Sequence, residues 1–214
     1  MKPRVIIADD HSLVLEGLRH ILEAAGCEVV ALVEDGHAAV QAAAELKPNI
    51  ILLDITMPGL NGVEAARQIR KNDSHVKLIF LTMHPEAVYV REAFRGGANA
   101  YLLKRTAVSE LKRAIAEVLD GRFYITPLVT QQTVTELLAA PDFGAFGKEL
   151  TARQREVLQL IAEGRTAKEI GGTLGISVKT VEFHKHAIMD SLGLHTIAEL
   201  SRYAMENKIV GTQG

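Results

Sequence analysis

Five short apolar runs, "RVIIA", "EVVALV", "NIILL", "VKLIFL" and "AYLL", alternate with stretches of helical spacing over the first half of the chain. No other feature restricts the fold as much. Short apolar runs bounded by turn residues read as strands buried on both faces. The first helical stretch carries Leu13, Gly17, Leu18, Ile21 and Leu22, and later ones cover about residues 36–46, 62–70, 87–95 and 108–119. This repeated alternation predicts an α/β fold, a doubly wound five-stranded parallel sheet with helices on both faces. Right-handed crossovers then bring every strand's carboxyl end to one edge, where such sheets bind ligands.

That edge carries chemistry. Asp54 closes the third run and Met57-Pro58-Gly59 follows at once. Aspartate is depleted in strands and costly to bury unpaired, so Asp54 needs a reason. The first run ends in Asp9-Asp10, and in a doubly wound sheet these two strands are neighbours. Like charges so close cannot all stay ionised without a counter-charge. A hard cation such as Mg2+ satisfies them with oxygen ligands. The fourth run ends in Thr82 and the fifth in Lys104. The set suits phosphoryl chemistry, in which metal and Lys104 neutralise phosphoryl oxygens while Asp54 attacks as nucleophile. Singly, each residue has an ordinary reading: Asp9-Asp10 as a helix cap, Thr82 as a strand end, Lys104 as a solvated charge, Tyr101 as core. The combination, one group per strand end, is hard to explain as structure alone.

After Gly121 the pattern changes. "PLVTQQTVTELLAAPDFGAFGKE" holds one modest helix and then Pro141, Gly144 and Gly147, a linker composition. Only helical signals follow. Thr151-x-x-Gln154, Thr166-x-x-Glu169 and Thr196-x-x-Glu199 are capping boxes, and Ser177 is a fourth N-cap candidate. The expected division is residues 1–122 for the sheet domain, 123–147 for the linker and 148–214 for a small all-α domain of four helices. In the last of these, Gly175-Ile176-Ser177 separates two helices in helix-turn-helix fashion. On the second helix Val178, Val181, Ile188 and Leu192 are expected to pack inward, leaving Lys179, Glu182, Phe183, His186 and Asp190 outward. A plain helical bundle with a charged outer face fits the same spacing. Charge does not decide: from Lys148 onward there are nine Lys+Arg and eight Asp+Glu, a balance of +1.

On these residues the chain resembles a known family. "ADDHSLVLEGL", "LLDITMPGLNGVE", "FLTMH" and "GANAYLLK" resemble the flavodoxin-like receiver domain of two-component response regulators. "LTARQREVLQLIAEGRTAKEIGGTLGISVKTVEFHKHAIMDSLGLHTIAELSRYA" resembles the LuxR-type helix-turn-helix domain. The pair is identified as the NarL/FixJ class. The resemblance implies that Asp54 accepts a phosphoryl group from a sensor histidine kinase. Asp9, Asp10, Asp54 and the Thr56 carbonyl would hold Mg2+, Thr82 and Tyr101 would form a switch pair, and Lys104 would contact the phosphoryl group. New charge on Asp54 is expected to draw Thr82 inward, with Tyr101 following. Lys179, Thr180, Glu182, Phe183, Lys185 and His186 are the expected contacts to double-stranded promoter DNA, bound as a homodimer. Glu182 could accept from cytosine N4. Departures are Ser12, where relatives often carry Pro, mid-helix Gly171-Gly172, and Asp190 where Lys or Arg is frequent.

Other readings are weaker. A haloacid-dehalogenase-type phosphatase wants a second Asp where Thr56 stands, and a phosphorylation-independent adaptor would have lost pocket residues. Only self-phosphorylation and self-dephosphorylation at Asp54 are expected, not an enzyme. His184, His186 and His195 make a poor metal site, having no nearby Cys and i, i+2 spacing. No apolar run approaches the roughly 18 residues of a membrane span, and "MKPRVIIADDHS" does not read as a signal peptide. A lone cysteine, Cys27, is expected as a small core or near-surface residue and fits a reducing cytoplasm.

Overall fold

The computed structural model describes residues 2–129, 150–207 and 209–210. The chain divides into two compact units, 1–140 and 141–214. In the first, β1 (Arg4–Ala8), β2 (Glu28–Val33), β3 (Ile50–Leu53), β4 (Lys77–Thr82) and β5 (Ala100–Leu103) alternate with α1 (Ser12–Ala24), α2 (Gly36–Leu46), α3 (Gly62–Asn72), α4 (Ala87–Arg95) and α5 (Ala107–Leu119). A two-residue strand β6 (Tyr124–Ile125) ends the series. The sheet is parallel, in the order β2-β1-β3-β4-β5-β6.

Side chains alternate across each strand, so the sheet has two apolar faces. Val5, Ile7, Ile50, Leu52, Ile79, Leu81 and Leu102 pack under Leu15, Leu18 and Leu22 of α1 and Leu111, Ala114 and Val118 of α5. Ile6, Ile51, Leu53, Leu78, Phe80 and Tyr101 pack under α2, α3 and α4 through Ala39, Ala66, Ile69, Val90 and Ala93. Cys27 is buried.

Two details of this unit depart from expectation. The sheet has a sixth strand, and it runs past residue 122: the Tyr124 N–H bonds the Asn99 carbonyl at 3.1 Å and the Thr126 N–H bonds that of Tyr101 at 3.0 Å. Leu13, counted in the apolar pattern of α1, is 85% exposed. Of the stretch from Pro127 in which a linker helix is expected, residues 127–129 are helical and the rest lies outside the described residues.

The second unit holds α6 (Ala152–Ala162), α7 (Ala167–Leu174), α8 (Val178–Leu192) and α9 (Ile197–Glu206). All three capping boxes form, and Ser177 caps α8 by accepting from the Thr180 N–H. Gly175 (φ 64°) and Gly193 (φ 67°) end α7 and α8 in the left-handed region that glycine tolerates. Val157, Leu158, Ile170, Val181, Ile188 and Leu200 form the core. Val178 does not join them and is 47% exposed; as the first residue of α8 it has no preceding turn to cover it.

The paired glycines of α7 separate into two cases. A Cβ on Gly171 would sit 2.8 Å from the Ile176 carbonyl oxygen, so the turn between α7 and α8 requires a bare backbone there. A Cβ on Gly172 meets nothing within 4 Å, and the residue is exposed. Gly172→Ala should therefore raise unfolding stability by about 1 kcal/mol, the ordinary helix-interior difference. Gly171→Ala should stabilise less or destabilise. Urea unfolding of the two variants checks this.

Candidate functional site

Parallel pairing brings strand ends of the first unit to one edge. Ala8 pairs with Leu53, and the Asp54 N–H donates to the Ala8 carbonyl at 2.9 Å, which sets Asp54 beside Asp9. Thr82 pairs with Leu103, which places Lys104 one residue beyond. Lys104 opens a short 3-10 turn that leads into α5.

The chain beyond Asp54 folds back tightly. Ile55 accepts from the Gly62 N–H at 2.8 Å, and Gly59 turns with φ 74°. A Cβ on Gly62 would lie 1.8 Å from the Asp54 carbonyl oxygen, so only glycine lets α3 start there. Asn61 caps α3 through the Glu64 N–H. Thr56 is half-buried in this segment.

At the centre lies one cation between two buried carboxylates. Lys104 Nζ is 2.6 Å from Asp9 Oδ2 and 2.8 Å from Asp54 Oδ2. The other Asp54 oxygen accepts from the Ile55 N–H at 2.7 Å. Burial pushes the Asp54 carboxyl up to about 6; Lys104 works against that shift and Asp9 adds to it. Burial opposes the Lys104 charge, but Asp54 and Asp9 more than offset it and hold the ammonium above the usual lysine range. Asp54 is thus a poorly hydrated carboxyl whose charged form Lys104 supports.

Asp9, Asp10, His11 and Asp54 each offer one atom within 4.8 Å of the others. Three of the four donors are carboxylate oxygens, a set that fits a hard divalent cation such as Mg2+. His11 was not singled out in the sequence. Its Nδ1 lies 2.7 Å from Asp10 Oδ1 and 3.2 Å from Asp9 Oδ1, and its N–H donates to Asp9 Oδ1 at 3.0 Å. The available signal was spacing: an Asp side chain commonly bonds the backbone two residues on. The helix-cap reading of Asp9-Asp10 does not hold, because His11 is the N-cap of α1 and no side chain caps it.

Thr82 and Tyr101 meet through a third residue. Thr82 Oγ1 accepts from the His84 N–H at 3.2 Å, and the Tyr101 hydroxyl donates to the His84 carbonyl at 2.7 Å. The His84 ring stacks on Tyr89, centroids 4.1 Å apart. Tyr101 is fully buried. In this conformation the Tyr101 ring lies in the core and its hydroxyl has a partner.

In the second unit the six residues expected at DNA lie on α8. Lys179, Phe183 and His186, at i, i+4 and i+7, share one exposed stripe. Thr180 is half-buried and its hydroxyl bonds Ser177 Oγ at 2.8 Å. Glu182 and Lys185 pair with each other, so each offsets the other's charge.

Comparison with known proteins gives concordant assignments. Residues 5–116 match the family of response regulator receiver domains, and residues 148–204 match the LuxR family of bacterial regulatory proteins. The chain is 37% identical to the oxygen regulatory protein NreC of Staphylococcus aureus, over 97% of this chain and 99% of that protein. A LuxR-family two-component response regulator from Aurantimonas superposes with TM-score 0.62 at 34% identity, covering 64% of this chain and 99% of that one. The RcsB response regulator of Salmonella typhimurium gives TM-score 0.64 at 28% identity, covering 94% and 96%. A structure of the RcsB–DNA complex gives 0.59 at 28%, covering 95% and 98%. The chain belongs to the two-component response regulators, with a receiver domain followed by a LuxR-family DNA-binding domain.

Proposed function

We propose that Asp54 accepts a phosphoryl group from a sensor histidine kinase and that this modification controls binding of α8 to promoter DNA. The observation that carries the reading is the Asp9–Lys104–Asp54 arrangement, a nucleophilic carboxylate held rigid and desolvated beside a buried ammonium. In the transfer an Asp54 oxygen forms the bond to phosphorus while the bond to the donor nitrogen breaks. Asp54 Oδ1 stays fixed by the Ile55 N–H, and Lys104 moves with the charge onto the phosphoryl oxygens. Asp9, Asp10, Asp54 and the Thr56 carbonyl would hold Mg2+, which when bound supplies further positive charge at those oxygens. His11 orients Asp9 and Asp10 toward that role.

The signal leaves through the β4–α4 segment. Thr82 Oγ1 accepts from the His84 N–H while its own O–H can donate to the new phosphoryl oxygens, so a turn of Thr82 toward them pulls on His84. His84 is also held by Tyr101. The segment from Met83 to α4, rather than the Tyr101 ring, then takes up the movement. A structure of two RcsB dimers bound to two parallel DNAs and the LuxR-family match support DNA as the partner of α8, bound as a homodimer. Turnover beyond loss of the chain's own phosphoryl group is not part of this reading. Among the described residues no helix is long and apolar enough to cross a membrane, and a cytoplasmic place, where kinase and DNA both reach it, fits.

Two measurements test the site. Intact mass after incubation with acetyl phosphate and Mg2+ should show one added phosphoryl group on the wild type and none on Asp54→Asn; modification of both would move the acceptor elsewhere. The Asp54 carboxyl should titrate near pH 6 in metal-free protein by carbon-detected NMR. Lys104 favours the charged form, so Lys104→Ala should move that midpoint upward, and a downward or absent shift would break the assigned pairing.

A further inference from the structure

The proposed DNA reading leaves open what α8 recognises, and its exposed stripe narrows this. Phe183 is 69% exposed, a large aromatic ring facing solvent in the middle of a helix. The buried arc of α8 is supplied by Val181 and Ile188, so the second unit's core does not use Phe183. Its neighbours on the stripe are polar. Lys179 stands one turn before it, and His186 one turn after. His186 Nδ1 lies 2.8 Å from the Glu182 carbonyl oxygen, which can only accept, so Nδ1 carries the hydrogen. In the neutral ring Nε2 is then an outward acceptor.

Asp190 ends the same stripe and is exposed. A carboxylate there repels phosphates, so the amino-terminal half of α8 is the part that enters the groove. That half presents a cation, an apolar ring and an acceptor in sequence. The apolar feature offered by the DNA major groove is the C5-methyl of thymine. We infer that Phe183 is a specificity-determining residue of this protein that packs on a thymine methyl, with Lys179 and His186 bonding on either side of it. This rests on the DNA-binding reading above.

The test separates the two. Full-length protein treated with acetyl phosphate and Mg2+ is used to select binding sites from random duplex DNA. Each thymine of the selected site is then replaced singly by deoxyuridine, which removes only the methyl group, and affinity is read by fluorescence anisotropy. One position per half-site should lose roughly fourfold with the wild type, the effect of about 0.8 kcal/mol for one buried methyl-sized group. Phe183→Ala should bind more weakly and lose nothing further at that position, whereas Lys179→Ala should weaken binding and keep the deoxyuridine effect. Phe183 is exposed, so the variant should fold, with an unchanged melting temperature as the control.

A selected site without thymine, tolerance of every deoxyuridine by the wild type, or an effect that persists in Phe183→Ala would overturn the inference while leaving DNA binding intact. Loss of dimerisation in Phe183→Ala with an unaltered deoxyuridine profile would make the ring a protein contact instead. Failure to select any sequence would overturn the DNA-binding reading itself, and this inference with it.

Discussion

Two buried carboxylates and one ammonium, Asp9, Asp54 and Lys104, decide how the first unit is built. Each comes from the end of a different strand, and none could be buried alone. Burial and Asp9 both push the Asp54 carboxyl toward its protonated form, and Lys104 2.8 Å away works against them. Lys104 in turn keeps its charge because two anions face it. The arrangement requires β1 and β3 to end level and β5 to run two residues further, which the pairings of Ala8 with Leu53, Leu53 with Phe80 and Phe80 with Tyr101 secure. A one-residue slip of any strand would point its side chains to the opposite face and disperse the cluster.

The loops serve the same end. Gly62 lets α3 begin against the Asp54 carbonyl, and Gly36 lets α2 begin where a Cβ would lie 2.1 Å from the Leu60 carbonyl oxygen. Both hold the segment after Asp54 close, so that its side chain sits on a fixed backbone. On the other side the β4–α4 segment is held by Thr82 and Tyr101 through His84 alone among the hydrogen bonds described for that pair. A fixed carboxylate beside a segment bonded to Thr82 and Tyr101 is what a phosphorylation switch would need, because the energy of a few charge-assisted bonds must move something.

Much of this is legible in the sequence because burial has a period. The strands and helices of the first unit follow from runs and spacing, and the site follows from which residue closes each run. The three capping boxes of the second unit are equally local, each written in four residues. What the sequence hides depends on contacts between distant segments. β6 is two residues long and exists only through its bonds to the β5 side of the sheet. Gly171 looks like a defect in a helix until the Ile176 carbonyl is placed beside it. Leu13 and Val178 fit apolar patterns yet stand exposed: Leu13, two residues before Leu15, lies on the side of α1 away from Leu15, Leu18 and Leu22, and Val178 is the first residue of its helix. His11 escapes notice because its role needs Asp10 and Asp9 already in position.

The central claim is that charge at Asp54 changes what α8 does. The direct test is the affinity of the full chain for a selected duplex, measured with and without acetyl phosphate and Mg2+, on wild type and Asp54→Asn. Coupling between two sites of one protein is commonly 5- to 150-fold. Phosphorylation should tighten wild-type binding by about tenfold and leave Asp54→Asn unchanged. Equal affinities for modified and unmodified wild type would contradict the account, leaving a DNA-binding protein whose acidic pocket does not control it.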